Sequence, residues 1–393
     1  VKQDIFPYIK RILQGANVPW KPLGEVTEVK TGQSVNKNII ADNTGEYPVI
    51  NSGREPLGFI NVWNTDNDPI GITSRGAGVG SVTWQEGKYF RGNLNYSASI
   101  KDVSTLNTRF LYHLLLQMQP EIHALCTFEG IPALNAVNLK KLQIPLPPLS
   151  VQQEIVRILD KFTQLEAELE AELDCRKQQY EYYRDMLLTY DENQVEWKTL
   201  GEVGTFVRGK GLQKKDLIAS GVPAIHYGQI YTYYGVSTEQ TISFVSPETA
   251  EKLKKVDYGD VIITNTSENL EDVGKAVAYY VKEQGVTGGH ATIFKPSEKI
   301  IGKYLVYYTQ TIEFSNQKRK YAKGTKVIDV SANDLAKITI PLPPIEEQER
   351  IAGILDKFDT LVNSISEGLP REIELRRKQY EYYREKLLSF PTE

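Results

Sequence analysis

Cysteine is nearly absent from this 393-residue chain, which holds only Cys126 and Cys175. No disulfide framework can support the fold, and so few thiols fit a reducing, cytoplasmic setting. Histidine is scarce as well, with four in all. His123 and Cys126 stand three apart without the further ligands of a zinc site, and read as a chance pair near a helix end. Long apolar runs are missing. The most apolar, Phe110 to Leu116, is interrupted by His113 and falls well below the ~18 residues of a membrane-spanning helix. The first residues, Val1 to Pro7, lack the apolar core of a signal peptide. Neither sign of charge dominates: 46 Lys and Arg face 50 Asp and Glu, a net charge of -4. Taken whole, that balance argues against a polyanionic partner.

Catalytic signatures are missing too. Pro147-Pro148 is flanked by Leu146 and Leu149, and Pro343-Pro344 by Leu342 and Ile345, so neither belongs to the Asn/Asp-Pro-Pro-Tyr/Phe motif of an amino-methyltransferase. The glycines of Ser74-Arg75-Gly76-Ala77-Gly78-Val79-Gly80 precede no Gly-Lys-Ser/Thr and read as a turn between strands, not a phosphate-binding loop. Asp68 with Glu86-Gly87-Lys88 faintly resembles a metal-dependent nuclease, but Gln85 to Lys88 between two apolar stretches reads better as a hairpin turn.

What the chain does contain, it contains twice. Ile144-Pro145-Leu146-Pro147-Pro148 leads through Ile158-Leu159-Asp160-Lys161-Phe162 to Gln179-Tyr180-Glu181-Tyr182-Tyr183-Arg184. Ile340-Pro341-Leu342-Pro343-Pro344 leads in the same way through Ile354-Leu355-Asp356-Lys357-Phe358 to Gln379-Tyr380-Glu381-Tyr382-Tyr383-Arg384. Between them, Trp20-Lys21-Pro22-Leu23-Gly24-Glu25-Val26 returns as Trp197-Lys198-Thr199-Leu200-Gly201-Glu202-Val203. A repeat of this kind fixes the architecture. It divides the chain into a helical segment (1–16), a first block (17–148), a spacer helix (149–193), a second block (194–344) and a distal spacer helix (345–393).

Each block alternates short apolar stretches with Gly, Asn and Asp, which predicts short strands, among them Tyr47 to Ile50, Ile70 to Thr73, Val222 to Tyr227 and Val261 to Thr264. Helical spacing appears at Arg109 to Met118 and Lys303 to Thr311. The fold class is therefore α+β: two similar mixed β/α domains separated by two long antiparallel helices in a pseudo-two-fold repeat. The spacers carry apolar residues at three- and four-residue steps, the spacing of a coiled-coil seam that needs a partner. The distal spacer holds four extra residues near Gly368-Leu369-Pro370. Four residues add about one helical turn and preserve the apolar face, while Pro370 is positioned to kink or restart the helix.

The whole-chain charge conceals a local imbalance. The spacers hold 5 Lys and Arg against 10 Asp and Glu (149–191) and 8 against 11 (345–393), whereas the blocks hold 11 against 11 (17–148) and 19 against 16 (194–344). Local patches decide whether phosphates are bound.

The duplicated prolines, the Ile-Leu-Asp-Lys-Phe turns, the tyrosine-rich helix ends and the Trp-Lys-x-Leu-Gly-Glu-Val starts resemble, over nearly the whole chain, the specificity (S) subunit of type I restriction-modification enzymes. The resemblance implies two target recognition domains, each reading one half of a bipartite site in double-stranded DNA, and no catalytic residue in this chain. It implies spacers that dock two modification subunits, which would carry S-adenosylmethionine and methylate adenine, and restriction subunits that would use ATP and Mg. It also makes Leu165 to Leu173 a candidate ruler, in which an added four-residue unit would lengthen the rod by ~6 Å.

Within that frame, loops with Arg or Lys beside Asn, Gln, Ser and Gly suit phosphate contact and base readout. In the first block these are Lys37, Arg54, Ser74 and Arg75. In the second they are Arg208, Lys210, Lys214, Lys215, Asn265, Lys318, Arg319, Lys320, Lys323 and Lys326, and Lys318 to Lys320 form the densest run. Tyr182, Arg184, Tyr382 and Arg384, near the helix ends, are candidates for docking a partner subunit. A stand-alone methyltransferase or nuclease with an unrecognised site, and a scaffold that binds only protein, are the alternatives.

Overall fold

The computed structural model describes residues 6–53, 55–191 and 193–391. The chain forms two compact units, Val1–Glu170 with Glu372–Glu393, and Ala171–Arg371. Each unit holds one block, part of the spacer that leaves it and part of the other spacer.

In the first unit, Pro7–Leu13 is a short helix with proline at its first position, where the missing N–H costs nothing. The repeated Trp-Lys and Pro-Leu-Pro-Pro motifs prove to be the incoming and outgoing strands of the block. Trp20–Pro22 pairs antiparallel with Gln143–Pro145, which closes the domain before the spacer begins. Between them lie a four-stranded sheet in the order Phe59–Ile60, Thr44–Ile50, Lys88–Arg91, Thr65–Asp66, and a three-stranded sheet in the order Val82–Trp84, Ile70–Thr73, Asn95–Ser97. Thr44–Ile50 and Lys88–Arg91 run parallel. The helix Thr108–Gln117 is capped by Asn107, whose side chain accepts from the Phe110 N–H, and it buries Phe110, Leu111, Leu114 and Leu115. Those residues share a core with Ile70, Ile72, Ile155 and Leu159.

The second unit repeats the plan. Glu196–Thr199 closes on Thr339–Leu342. One sheet runs Phe244–Val245, Val222–Ile225, Gly285–Thr287, Lys254–Val256, again with a parallel central pair. The other runs Gly204–Arg208, Ala291–Pro296, Val261–Thr264, Ala276–Tyr279, Ser237–Thr238.

Three local expectations are corrected. Gln85 to Lys88 is no hairpin, because Val82–Trp84 and Lys88–Arg91 belong to different sheets. Tyr227 does not continue its strand but opens the helix Tyr227–Thr232. Lys318 to Lys320 lie in the helix Ile312–Tyr321 and not in a loop.

The first spacer is one helix of 40 residues, Leu149–Leu188, roughly 60 Å long at ~1.5 Å per residue. The distal spacer is two helices, Ile345–Asn363 and Leu369–Leu387. Its four extra residues form the break instead of an added turn. Ser364 is extended there, and its hydroxyl accepts from the N–H groups of Ser366 and Glu367. Gly368 lies so close to the carbonyls of Thr360 and Leu361 that a side chain would collide with them. Pro370 falls in the first turn of the restarted helix, where it is tolerated.

In the first unit the spacer segments pair antiparallel. Phe162 stacks on Tyr383 at 5.2 Å, and Glu166 and Glu170 both reach back to Arg377. In the second, Tyr183 stacks on Phe358 at 5.6 Å. Each spacer is tied to its own block by two repeated polar residues. Gln152 and Gln348, both fully buried, each donate to two carbonyls and accept one backbone N–H. Asp160 accepts from Arg109 and His113, while Asp356 accepts from Lys303 and Tyr307.

Candidate nucleic-acid interface

In the second unit, chain segments far apart in sequence meet beyond the ends of the sheets. The Gly209 N–H donates to Ala291 O at 2.9 Å, and the Asn265 N–H donates to His290 O at 2.8 Å. Thr266 pairs with Asp329, which in turn pairs with Lys323. A Cβ on Gly209 would strike the carbonyl of Gly288, so glycine permits this approach. This pairing draws the backbones of Gly209, Asn265, His290, Asp329 and Lys323 together, and exposed Arg208, Lys210, Lys323 and Lys326 lie on these segments or within three residues of them in the chain.

An aromatic cluster lies against His290. Tyr227 lies 4.5 Å from the His226 ring and 4.9 Å from that of His290. Burial, followed by the nearby His290 and Lys214, pushes the His226 pKa below its ordinary value. A neutral imidazole agrees with the hydrogen bond its Nδ1 accepts from the Gly228 N–H at 3.3 Å. Cations for phosphates beside rings and polar tips for bases are the components of a DNA-reading surface.

The predicted residues fall into two groups. Lys37, Arg75, Arg208, Lys210, Lys214, Lys215, Arg319, Lys320, Lys323 and Lys326 are exposed, and Arg54 lies outside the described residues. Three others belong to the interior. Lys318 is 4% exposed and donates to the Val273 carbonyl at 2.5 Å, with its pKa pushed down to about 8, mainly by burial. Consecutive helical residues point about 100° apart, so a run of three cations cannot keep every member on one face. Asn265 is buried, donating to Val330 O and accepting from the Thr292 hydroxyl. Ser74 is buried in the corresponding place in the first unit.

The first unit shapes its own surface on the same backbone. The Gly32 N–H donates to Asn95 O, the Gln33 N–H to Arg91 O, and the Ser74 N–H to Leu94 O. Among its described residues, the one strongly buried cation is a framework residue: Arg91 is 3% exposed and donates to the carbonyls of Asp68, Ile70 and Tyr96 and to Asn95 Oδ1.

Of the docking candidates, Tyr182 and Tyr382 are 66% and 52% exposed. Arg184 and Arg384 are half-buried and also engage residues of their own units. Arg184 lies over Tyr180 with its side chain 13% exposed and lines a cavity of about 470 Å³ with Lys275 and Asp359. Arg384 lies over Tyr380 and donates to Gln117. Their tyrosines are buried, and the arginines close over them.

His226, Tyr227 and His290 escaped the sequence reading because only strand pairing brings residues more than sixty positions apart together. The Gly288-Gly289-His290 stretch was the one available signal, since paired glycines mark a backbone forced into close quarters. Among the described residues, no group of three or more His, Cys, Asp or Glu side chains could hold a metal ion. No described helix is long and apolar enough to cross a membrane.

Comparison with known proteins gives a consistent pattern. The family described as type I restriction modification DNA specificity domain matches residues 17–174 and 192–375. The chain is 35% identical over 405 residues to the specificity subunit of a type I restriction enzyme of Escherichia coli, covering 98% of this chain and 97% of the relative. It is 32% identical over 409 residues to a putative specificity subunit of Haemophilus influenzae, covering 98% of each. Among solved structures, the S subunit of a type I restriction-modification system from M. genitalium shares the fold, with a TM-score of 0.58 and 20% identity over 96% of this chain and 98% of that one.

Proposed function

Because the chain belongs to the type I restriction-modification DNA specificity family, we propose that it is the sequence-reading subunit of such a complex, each block reading one half of a bipartite site in double-stranded DNA. The observation that carries this reading is one backbone framework bearing two different sets of surface residues: Thr31, Gln33 and Arg75 in the first unit, and Arg208, Lys210, Thr266 and His290 in the second. A protein that recognises one unsplit site has no use for two unlike faces on duplicated scaffolds.

In this reading, methylation and cleavage belong to partner subunits. Two modification subunits would bring S-adenosylmethionine, and restriction subunits would bring ATP and Mg. The exposed Tyr182 and Tyr382 are the spacer residues proposed to meet them, in the cytoplasm where the host DNA lies.

The test is a methylome of cells carrying the system with and without this gene. A split methyladenine motif that disappears with the gene is expected. Methylation in an unsplit motif, or a motif indifferent to the gene, would overturn the reading. A protein-only scaffold predicts no salt-dependent DNA binding by the assembled complex, whereas phosphate contacts predict a steep salt slope.

A further inference from the structure

We infer that the turn Thr287–Ala291, with His290 at its tip, is a base-reading element of the second block, and that the matching turn Arg91–Asn95, with Leu94, serves the first. The inference rests on the DNA-reading function proposed above.

The two turns occupy the same place. Each leaves the second strand of the parallel pair, Lys88–Arg91 in one unit and Gly285–Thr287 in the other. Each accepts a backbone hydrogen bond from the residue after a central strand, Ser74 to Leu94 O and Asn265 to His290 O. Each is held against a glycine, Gly32 or Gly209, that tolerates no side chain at that approach. The backbone of the turn is thus fixed by neighbours on both flanks while its tip residue changes from leucine to histidine. A rigid backbone with an interchangeable tip is what discrimination between bases needs, because a loosely held contact distinguishes bases poorly.

The tip chemistry fits base edges. His290 is exposed, its Nδ1 lies 2.8 Å from the Thr266 hydroxyl, and its ring leans on Tyr227. With the Thr266 hydroxyl donating to Nδ1, the proton sits on Nε2, a donor suited to the N7 and O6 acceptors of guanine in the major groove. Leu94, half-buried, offers an apolar surface suited to the methyl group of thymine. The cations around each turn supply sequence-independent attraction and cannot themselves choose a base.

The experiment is a selection of bound sequences by the assembled complex, made in parallel with wild type, His290→Ala, His290→Leu and Lys320→Ala. His290→Ala should relax one base position in one half-site, lowering discrimination there by about tenfold to a hundredfold, and leave the other half-site unchanged. His290→Leu should turn that position towards thymine. Lys320→Ala should weaken all sequences alike. An unaltered motif for both His290 variants, or a loss equal for every sequence, would overturn the assignment while leaving the DNA-reading function standing. A wild-type complex that selects no split motif would sink that function and this inference together. Because His290 is exposed, neither variant removes a core contact.

Discussion

The two units hold the same backbone with different buried polar and charged groups. The first encloses Arg91, fastened to three carbonyls, where the second has Thr287. The first has His113 on Asp160, where the second has Tyr307 on Asp356. The second encloses Lys318 over Gly274, where the first places the fully buried Ile122 over Gly80. Gln152 and Gln348, by contrast, are the same residue making the same three backbone bonds. The difference teaches that this fold requires its backbone groups to be satisfied and the spacer to be tied down, but requires no particular buried charge. Once such a charge is present, its neighbours depend on it.

The most severe way to break the comparison is Arg91→Met. Several buried acceptors would lose their donor, at a cost of about 3–5 kcal/mol confined to the first unit. Hydrogen exchange resolved by residue should show protection falling in the first unit and holding in the second. An equal loss in both would show that the units do not carry their charges independently.

Lys318→Met tests the second unit. A lysine ordinarily titrates near 10.5, and burial brings Lys318 down to about 8. Below pH 8 the folded protein therefore bears the full cost of an enclosed ammonium. Between pH 8 and 10.5 the unfolded chain holds the proton more often, so wild-type stability rises relative to the variant, by an amount on the order of 2–3 kcal/mol. Urea denaturation of both proteins at pH 7 and pH 10 measures this directly, and parallel pH profiles would count against it.

Gln152→Ala and Gln348→Ala sharpen the similarity. Each strips three backbone partners at the base of a spacer and should cost about 2 kcal/mol. Matched losses, each local to its own unit, would confirm equivalent anchors, whereas a loss at one site alone would mean the repeat is only formal.

The smallest effect concerns the surface. In the assembled complex, Lys320→Ala and Lys323→Ala should each flatten the salt slope of DNA binding by about 0.9. Lys318→Met should leave the slope unchanged. A slope that falls for Lys318→Met would place that ammonium on DNA after all.

Much of this protein was legible in its sequence. The repeat, the strand that closes each block, the helical spacing of the spacers and the position of Pro370 all follow from motifs whose consequences are local. Proline fixes φ, apolar residues at three- and four-residue steps make a seam, and matching motifs imply matching folds. Tertiary structure decided what those rules leave open. It turned Lys318 inward and left Lys320 outside, because a helix distributes successive residues around its axis. It gave Asn265 to a carbonyl and a hydroxyl, removing it from the surface. It used the four extra residues of the distal spacer to end one helix and begin another, since Gly368 packs against the carbonyls of Thr360 and Leu361. It also brought His226 and His290 to the same tyrosine, a meeting set by strand register across the sheet and visible in neither stretch of sequence alone.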